Sequence, residues 1–250
     1  MKTAGILVIL SLAVAPFAAA ADAVAPYVSA AVADPARGND TAADARRHPA
    51  ELAAFAQVRP GDTVVDLIPG GGYFTRVFSK IVGPNGHVYA VWPNEYAHED
   101  ADDLAATRAL AAQPEFSNVT IVEQPAAAFA IPAKADVIWT SQNYHDYPDK
   151  FMGPTDPAIL NKAVFDALKP GGVFIVVDHA AQAGSALRDT DTLHRIDPAT
   201  VKAQVTAAGF VFDGESQVLR NPADDHTIIV FDKKIRGHTD QFAYRFRKPA

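Results

Sequence analysis

The sequence has 250 residues, enough for one domain with a sizeable core. Hydrophobic residues make up 49% and charged residues 20%, a globular balance that excludes a disordered or collagen-like chain. Its 22 Lys and Arg against 29 Asp and Glu give a formal charge of -7, which argues against nucleic acid as a partner. The absence of cysteine removes disulfides, thiolate nucleophiles and zinc-thiolate sites.

Met1-Lys2-Thr3 is a short positive region, residues 4–17 are apolar, and Ala18-Ala19-Ala20 is a small-residue cleavage pattern. Residues 1–20 therefore read as a signal peptide, and the mature chain is expected in the periplasm or outside the cell. No later stretch is apolar enough to cross a bilayer, so no stable membrane insertion is expected after leader cleavage. Residues 21–45, rich in Ala, Asp and Pro without an apolar period, read as a mobile arm, and 46–250 as a single domain. Pro49 opens a helix, and Arg59-Pro60-Gly61-Asp62 forms a turn.

From Thr63 onward, β-rich apolar runs at 63–68, 87–92, 119–122, 136–140 and 173–178 alternate with helical stretches at 73–82, 99–112 and 157–168. Most of these runs are hydrophobic on both parities, as a sheet covered on both faces requires. Asp156 and Pro157 open the last of these helices, and Lys169-Pro170-Gly171-Gly172 ends it. Asp197 and Pro198 open a further helix, which Gly209 stops. Strands at 210–219 and 227–231 lie too close in sequence for a parallel crossover and predict an antiparallel hairpin. The expected fold is α/β: a doubly wound, Rossmann-like, mostly parallel seven-stranded sheet closed by a C-terminal antiparallel hairpin.

The strand at 63–68 runs into Pro69-Gly70-Gly71-Gly72 and a helix starting at Tyr73. Glycines at a strand's carboxyl end let backbone approach a ligand, and the helix behind them offers free N–H groups. A dinucleotide fingerprint would put Gly or Ala where Thr75 stands, and a phosphate loop needs a Lys that is absent. Both nucleotide-phosphate readings therefore weaken, and a nicotinamide dehydrogenase ranks low.

Asp66-Leu67-Ile68-Pro69-Gly70-Gly71-Gly72 resembles the first motif of class I S-adenosylmethionine-dependent methyltransferases, with Ile68 where that motif has its first Gly. The Pro-Gly-Gly-Gly-Tyr form is similar to a group of predicted, often exported bacterial methyltransferases. The resemblance runs from Arg46 to Pro249. It takes in Asn143-Tyr144-His145-Asp146-Tyr147, Asp178-His179, His194-Arg195-Ile196-Asp197, Asp224-Asp225-His226 and Arg236-Gly237-His238-Thr239-Asp240. It implies methyl transfer to a small molecule, with S-adenosylmethionine as cofactor. It also implies that Asp66 acts on the cofactor's methionine end, with Pro69, Gly70, Gly71, Gly72 and Tyr73 around it. The second strand of such folds ends in a carboxylate for the ribose. Trp92-Pro93-Asn94 stands there instead, which leaves Glu95 as the nearby acid and Trp92 as a ring for the adenine or for the core.

At the fourth strand's end, where the resemblance implies a substrate-facing loop, Asn143 offers an amide and His145 can take a proton near neutral pH. Tyr144 and Tyr147 can wall an aromatic or apolar substrate. Asp178-His179 and His194-Arg195 converge on the same rim, where Asp178 can orient a His and Arg195 can bind an anionic group. His145, Asn143 and Asp178 are thus the catalytic candidates, and Tyr144, Tyr147, His179, His194 and Arg195 the substrate-binding ones. Each can equally be a structural hydrogen-bond hub. His145, Asp178, His179 and His194 carry metal-ligand atoms, but no local metal spacing joins them and no metal is expected. A competing reading is an exported, non-catalytic ligand-binding protein that retains the fold. It is motivated by Ile68, the missing ribose carboxylate and a cofactor made in the cytoplasm. The sequence specifies no oligomeric state.

Overall fold

Apolar residues on both parities of a strand need cover on both faces, and the computed structural model, which describes residues 23–250, supplies it. The strands are β1 (Thr63–Leu67), β2 (His87–Pro93), β3 (Val119–Gln124), β4 (Ala135–Ser141), β5 (Leu168–His179), β6 (Val211–Ser216) and β7 (Gln241–Arg247). They form one sheet in the order β3-β2-β1-β4-β5-β7-β6. β1 to β5 are mutually parallel, and β7 runs antiparallel between β5 and β6. The helices are α1 (Pro26–Val32), α2 (Asp44–Arg47), α3 (Pro49–Phe55), α4 (Tyr73–Val82), α5 (Asn94–Glu99), α6 (Ala101–Ala111), α7 (Pro157–Ala167), α8 (Thr190–Leu193) and α9 (Pro198–Ala207).

The pleat divides the core in two. Val64, Val173, Ile175 and Val177 join a cluster with Leu52, Phe74 and Phe78 from α3 and α4. Val65, Leu67, Phe174 and Val176 join another with Leu160, Val164, Val201 and Val205 from α7 and α9. In α4, Phe74, Val77, Phe78 and Ile81 recur at helical spacing and are all buried. Asp156 and Asp197 cap α7 and α9 by accepting from Ala158 N and Ala199 N at 2.8 and 2.9 Å.

Four expectations need correction, and the signal peptide expected over 1–20 lies outside the described residues. The expected mobile arm is helical from Pro26, because Val28 is buried in the core and Arg37, fully buried, pairs with Asp44. The helix expected at 99–112 breaks at Asp100, whose φ of −125° and ψ of 56° are not helical. Lys169-Pro170-Gly171-Gly172 belongs to the start of β5, since the chain turns extended at Leu168. The closing hairpin uses β6 and β7 rather than 227–231. There other bonds win over a ladder: Thr227 N and Oγ1 donate locally to Asp225 at 3.0 and 2.6 Å, and Val230 N donates across to Leu193 O at 3.2 Å.

Candidate active site

Strand order reverses between β1 and β4, and helices on opposite faces leave a cleft at the carboxyl ends of these strands. A cavity of about 620 Å³ fills the cleft, within the usual range for small-molecule sites.

At the β1 end, Asp66 is buried and its Oδ2 accepts from Thr75 Oγ1 at 2.6 Å. Burial pushes its carboxyl up to about 7, against the Thr75 bond and the Arg47 charge. Arg47, at the end of α2, also lines the cavity and stacks 4.6 Å from the Tyr73 ring centroid. It has no carboxylate within ion-pair distance among the described residues.

Ile68 keeps the left-handed backbone, φ 57°, that the resemblance's Gly would take freely. Gln142 at φ 67° and His194 at φ 53° are likewise left-handed and also line the cavity. Such conformations are costly for these residues and persist where packing over-determines them. Gly72 is left-handed at φ 85°, and a Cβ there would lie 2.9 Å from Leu110 Cδ1, which would have to shift. Asp103 sits over the turn, and burial followed by its neighbour Asp100 raises its pKa while a bond from Gly71 N–H opposes the rise. Asp66, Glu99, Asp100 and Asp103 make this end of the cavity acidic, with Arg47 the one permanent cation among the described lining residues. The field suits a cationic ligand.

At the β4 end, the Asn143 amide donates to the Ser141 and Ile68 carbonyls and accepts from Tyr96 OH at 3.2 Å, tying β4 to β1. His145 is buried on a 3-10 turn. Its backbone N donates to Asp178 Oδ2 at 2.9 Å and its Nδ1 lies 2.8 Å from Asp178 Oδ1. Its Nε2 lies 3.2 Å from Asp146 Oδ1 and 3.3 Å from His194 Nδ1. Burial opposes a charge on His145, but Asp178 and Asp146 outweigh it and hold its pKa well above the ordinary value. His179 lies 2.7 Å from Thr239 Oγ1, and burial lowers its pKa to about 3, so it is neutral.

Asp66, Pro69, Gly70, Asn143, His145, His179 and His194 thus meet at one cavity, and Asp178 stands directly behind His145. The other sequence candidates do not line it. Gly71 and Gly72 face α6. Tyr73 OH donates to Asp44 Oδ1 at 2.5 Å. Trp92 is fully buried, its Nε1–H donating to Thr107 Oγ1 at 3.1 Å, and so packs in the core rather than on a ligand. Glu95 is turned away and accepts from Ala126 N at 2.9 Å. Tyr144 OH donates to Gln204 at 3.1 Å and accepts from Asn161 at 2.8 Å, and Tyr147 is buried in the same core. Arg195 is buried against Asp224, with bonds of 2.9 and 3.1 Å.

Sequence reasoning missed Arg47, Asp100, Asp103, Asp146 and the rings of Tyr96, Trp139, Phe151 and Phe231, all of which line the cavity. The acids just beyond the second strand were the available signal, a few residues later than the usual ribose position.

The fold is shared with solved structures. A methyltransferase described as S-adenosylmethionine-dependent from Mesorhizobium loti superposes with a TM-score of 0.58 at 20% identity, covering 84% of this chain and all of that one. The glycopeptide N-methyltransferase MtfA, solved with S-adenosylmethionine, superposes with a TM-score of 0.54 at 16% identity, covering 80% and 86%. The fold is that of the class I S-adenosylmethionine-dependent methyltransferases. The ubiquinone/menaquinone biosynthesis C-methyltransferase UbiE of Vibrio cholerae is 28% identical over 188 residues, 73% of this chain and 60% of the relative. That of Ectopseudomonas mendocina is 25% identical over 74% and 62%. The chain thus spans less than two thirds of these curated relatives. No family model matches it. In this methyltransferase fold, the β1 turn and the loop after β4 bound the two ends of one cavity.

Proposed function

We propose that the chain is an S-adenosylmethionine-dependent methyltransferase acting on a small molecule. The observation that carries the reading is the single cavity at the β1–β4 reversal, acidic at one end and lined by imidazoles and rings at the other. Asp66 takes the cofactor's methionyl ammonium, Arg47 its carboxylate, and Asp100 and Asp103 its ribose hydroxyls, in place of Glu95.

A sulfonium arrives activated, so alignment and exclusion of water supply much of the acceleration. The acceptor's lone pair forms the new bond to the methyl carbon, and the pair of the broken C–S bond stays on sulfur. His145, held at Nδ1 by Asp178, turns its Nε2 edge to the acceptor and so orients it. Asp178 positions the ring, and Asn143 holds the β1 and β4 ends at the right separation.

Calorimetry with S-adenosylmethionine and S-adenosylhomocysteine tests the first step, and no heat at millimolar ligand removes the reading. A screen of methyl acceptors tests the second. Wild-type turnover that falls roughly 100-fold or more in His145→Ala supports catalysis, whereas cofactor binding without any turnover favours the exported, non-catalytic alternative. The reading includes export through Met1–Ala20, which cell fractionation with N-terminal sequencing checks. A cytoplasmic product retaining Met1 would retire it.

A further inference from the structure

We propose that His145, Asp146 and His194 bind one divalent first-row transition cation, with zinc the simplest fit, at the acceptor end of the cavity. Their three ligand atoms are mutually close: His145 Nε2 to Asp146 Oδ1 is 3.2 Å, His145 Nε2 to His194 Nδ1 is 3.3 Å, and His194 Nδ1 to Asp146 Oδ1 is 3.8 Å. A triangle with those edges has a point about 2.1 Å from all three corners, the bond length of zinc to imidazole nitrogen and carboxylate oxygen. Two nitrogens among three donors disfavour magnesium and calcium, which take oxygen.

The surroundings match the cluster to that task. Asp178 Oδ1 lies 2.8 Å from His145 Nδ1 and is itself fixed by His179 N–H at 2.7 Å. This holds a proton on Nδ1, so a cation arriving at Nε2 displaces only the Nε2 proton and takes that lone pair, the carboxylate–histidine arrangement that supports metal ligands. His194 presents its ring from a left-handed backbone at the end of α8. Asp146 and Asp178 are buried, and histidines are their sole ion-pair partners among the described residues. His145 and Asp146 are closed off, with side chains 3% and 4% exposed, while His194 at 29% opens on the cavity. A three-donor site with one open side leaves a coordination position for an acceptor atom.

The role rests on the methyl-transfer reading. A hydroxyl or thiol coordinated there releases its proton to water more readily, and its lone pair then forms the bond to the methyl carbon while the C–S pair stays on sulfur. The acceptor class is therefore a small molecule with a hydroxyl or thiol that can reach the cation.

The test uses tag-free protein, stripped of metal, titrated with zinc by calorimetry and with cobalt(II) by visible absorption, with magnesium as control. One cation per chain is expected, with a cobalt ligand-field band and no magnesium response. Asp178→Asn weakens binding by about 10–100-fold, and His194→Ala and Asp146→Asn weaken it further. His194→Gln is a second variant, and thermal melts confirm that each protein is folded. Absence of stoichiometric binding in the wild type, or binding unchanged in both His194→Ala and Asp146→Asn, overturns the site. S-adenosylhomocysteine binding in the same samples separates the two ideas. Cofactor without cation retires the cation site alone, and cation without cofactor retires the methyl-transfer reading alone.

Discussion

Two buried charge clusters stand at the carboxyl ends of the central strands, built from the same kinds of residue and facing different fates. In one, Arg195 makes two bonds to Asp224 and others to the Ala180 and Ile228 carbonyls, and Asp224 accepts from Asp240 N at 2.7 Å. Asp240 is in turn held by Arg220 and His226. In the other, Asp146 and Asp178 meet histidines alone, and one side is open to the cavity. Permanent cations with a full set of partners make a scaffold. Carboxylates facing titratable rings at a cavity leave room for a ligand to complete the charge balance.

The largest expected effect separates the clusters directly. Arg195→Ala strands a buried carboxylate and should cost about 3–5 kcal/mol, lowering Tm by roughly 6–20 °C. Thermal and urea melts check it. An unchanged Tm with lost acceptor binding would move Arg195 into the site and break the comparison.

Asp66 should show the opposite sign. Its carboxyl is raised in the folded chain to about 7, from about 4 when unfolded, so the stability associated with its neutral form is full below pH 4 and is lost as pH rises through 7. Asp66→Asn keeps an oxygen for the Thr75 hydroxyl and should gain about 2–4 kcal/mol at pH 8, with little change at pH 4. The same variant should bind S-adenosylmethionine more weakly. Wild-type affinity should rise between pH 6 and 7.5, because the cationic ligand favours the ionised carboxylate, and the variant's should stay flat. Equal affinities in both proteins would detach Asp66 from the cofactor.

β1, β2, β4 and β5 were readable because burial on both faces writes apolar residues on both parities, and β3, an edge strand with Thr120 and Glu123 exposed, was readable from its β-branched Val-Thr-Ile-Val run. β7 was not. Its Gln-Phe-Ala-Tyr-Arg-Phe-Arg run carries two arginines that look solvated in sequence, whereas Arg245 and Arg247 both bond to Asp213 on β6. The β-branched run 227–231 looked like the better strand, but caps from Asp225 and a bond from Arg195 to the Ile228 carbonyl hold it in a loop. Similar physics governs the site. Asp66 and Gly70 were readable as strand, turn and helix. Asp100 and Asp103 depend on a helix break with no Pro or Gly to announce it. Arg47 depends on the packing of α2 through Arg37, Asp44 and Tyr73. On the 144–146 turn consecutive side chains diverge, so Tyr144 enters the core while His145 enters the cavity.

That divergence sets the smallest prediction. Tyr144 and Tyr147 wall the core, and the exposed ring that can meet an acceptor is Phe231, 54% exposed at the rim and 4.8 Å from the His194 ring centroid. Partial burial of such a ring by an apolar acceptor is worth about 1 kcal/mol, roughly fivefold in binding. Phe231→Ala should therefore raise the acceptor's KM about fivefold and leave kcat unchanged, the mark of uniform binding. Because Phe231 touches neither buried cluster's carboxylates, Tm should not move. A fall in kcat at constant KM would instead mean that the ring holds His194 in place, and that the rim belongs to the chemistry.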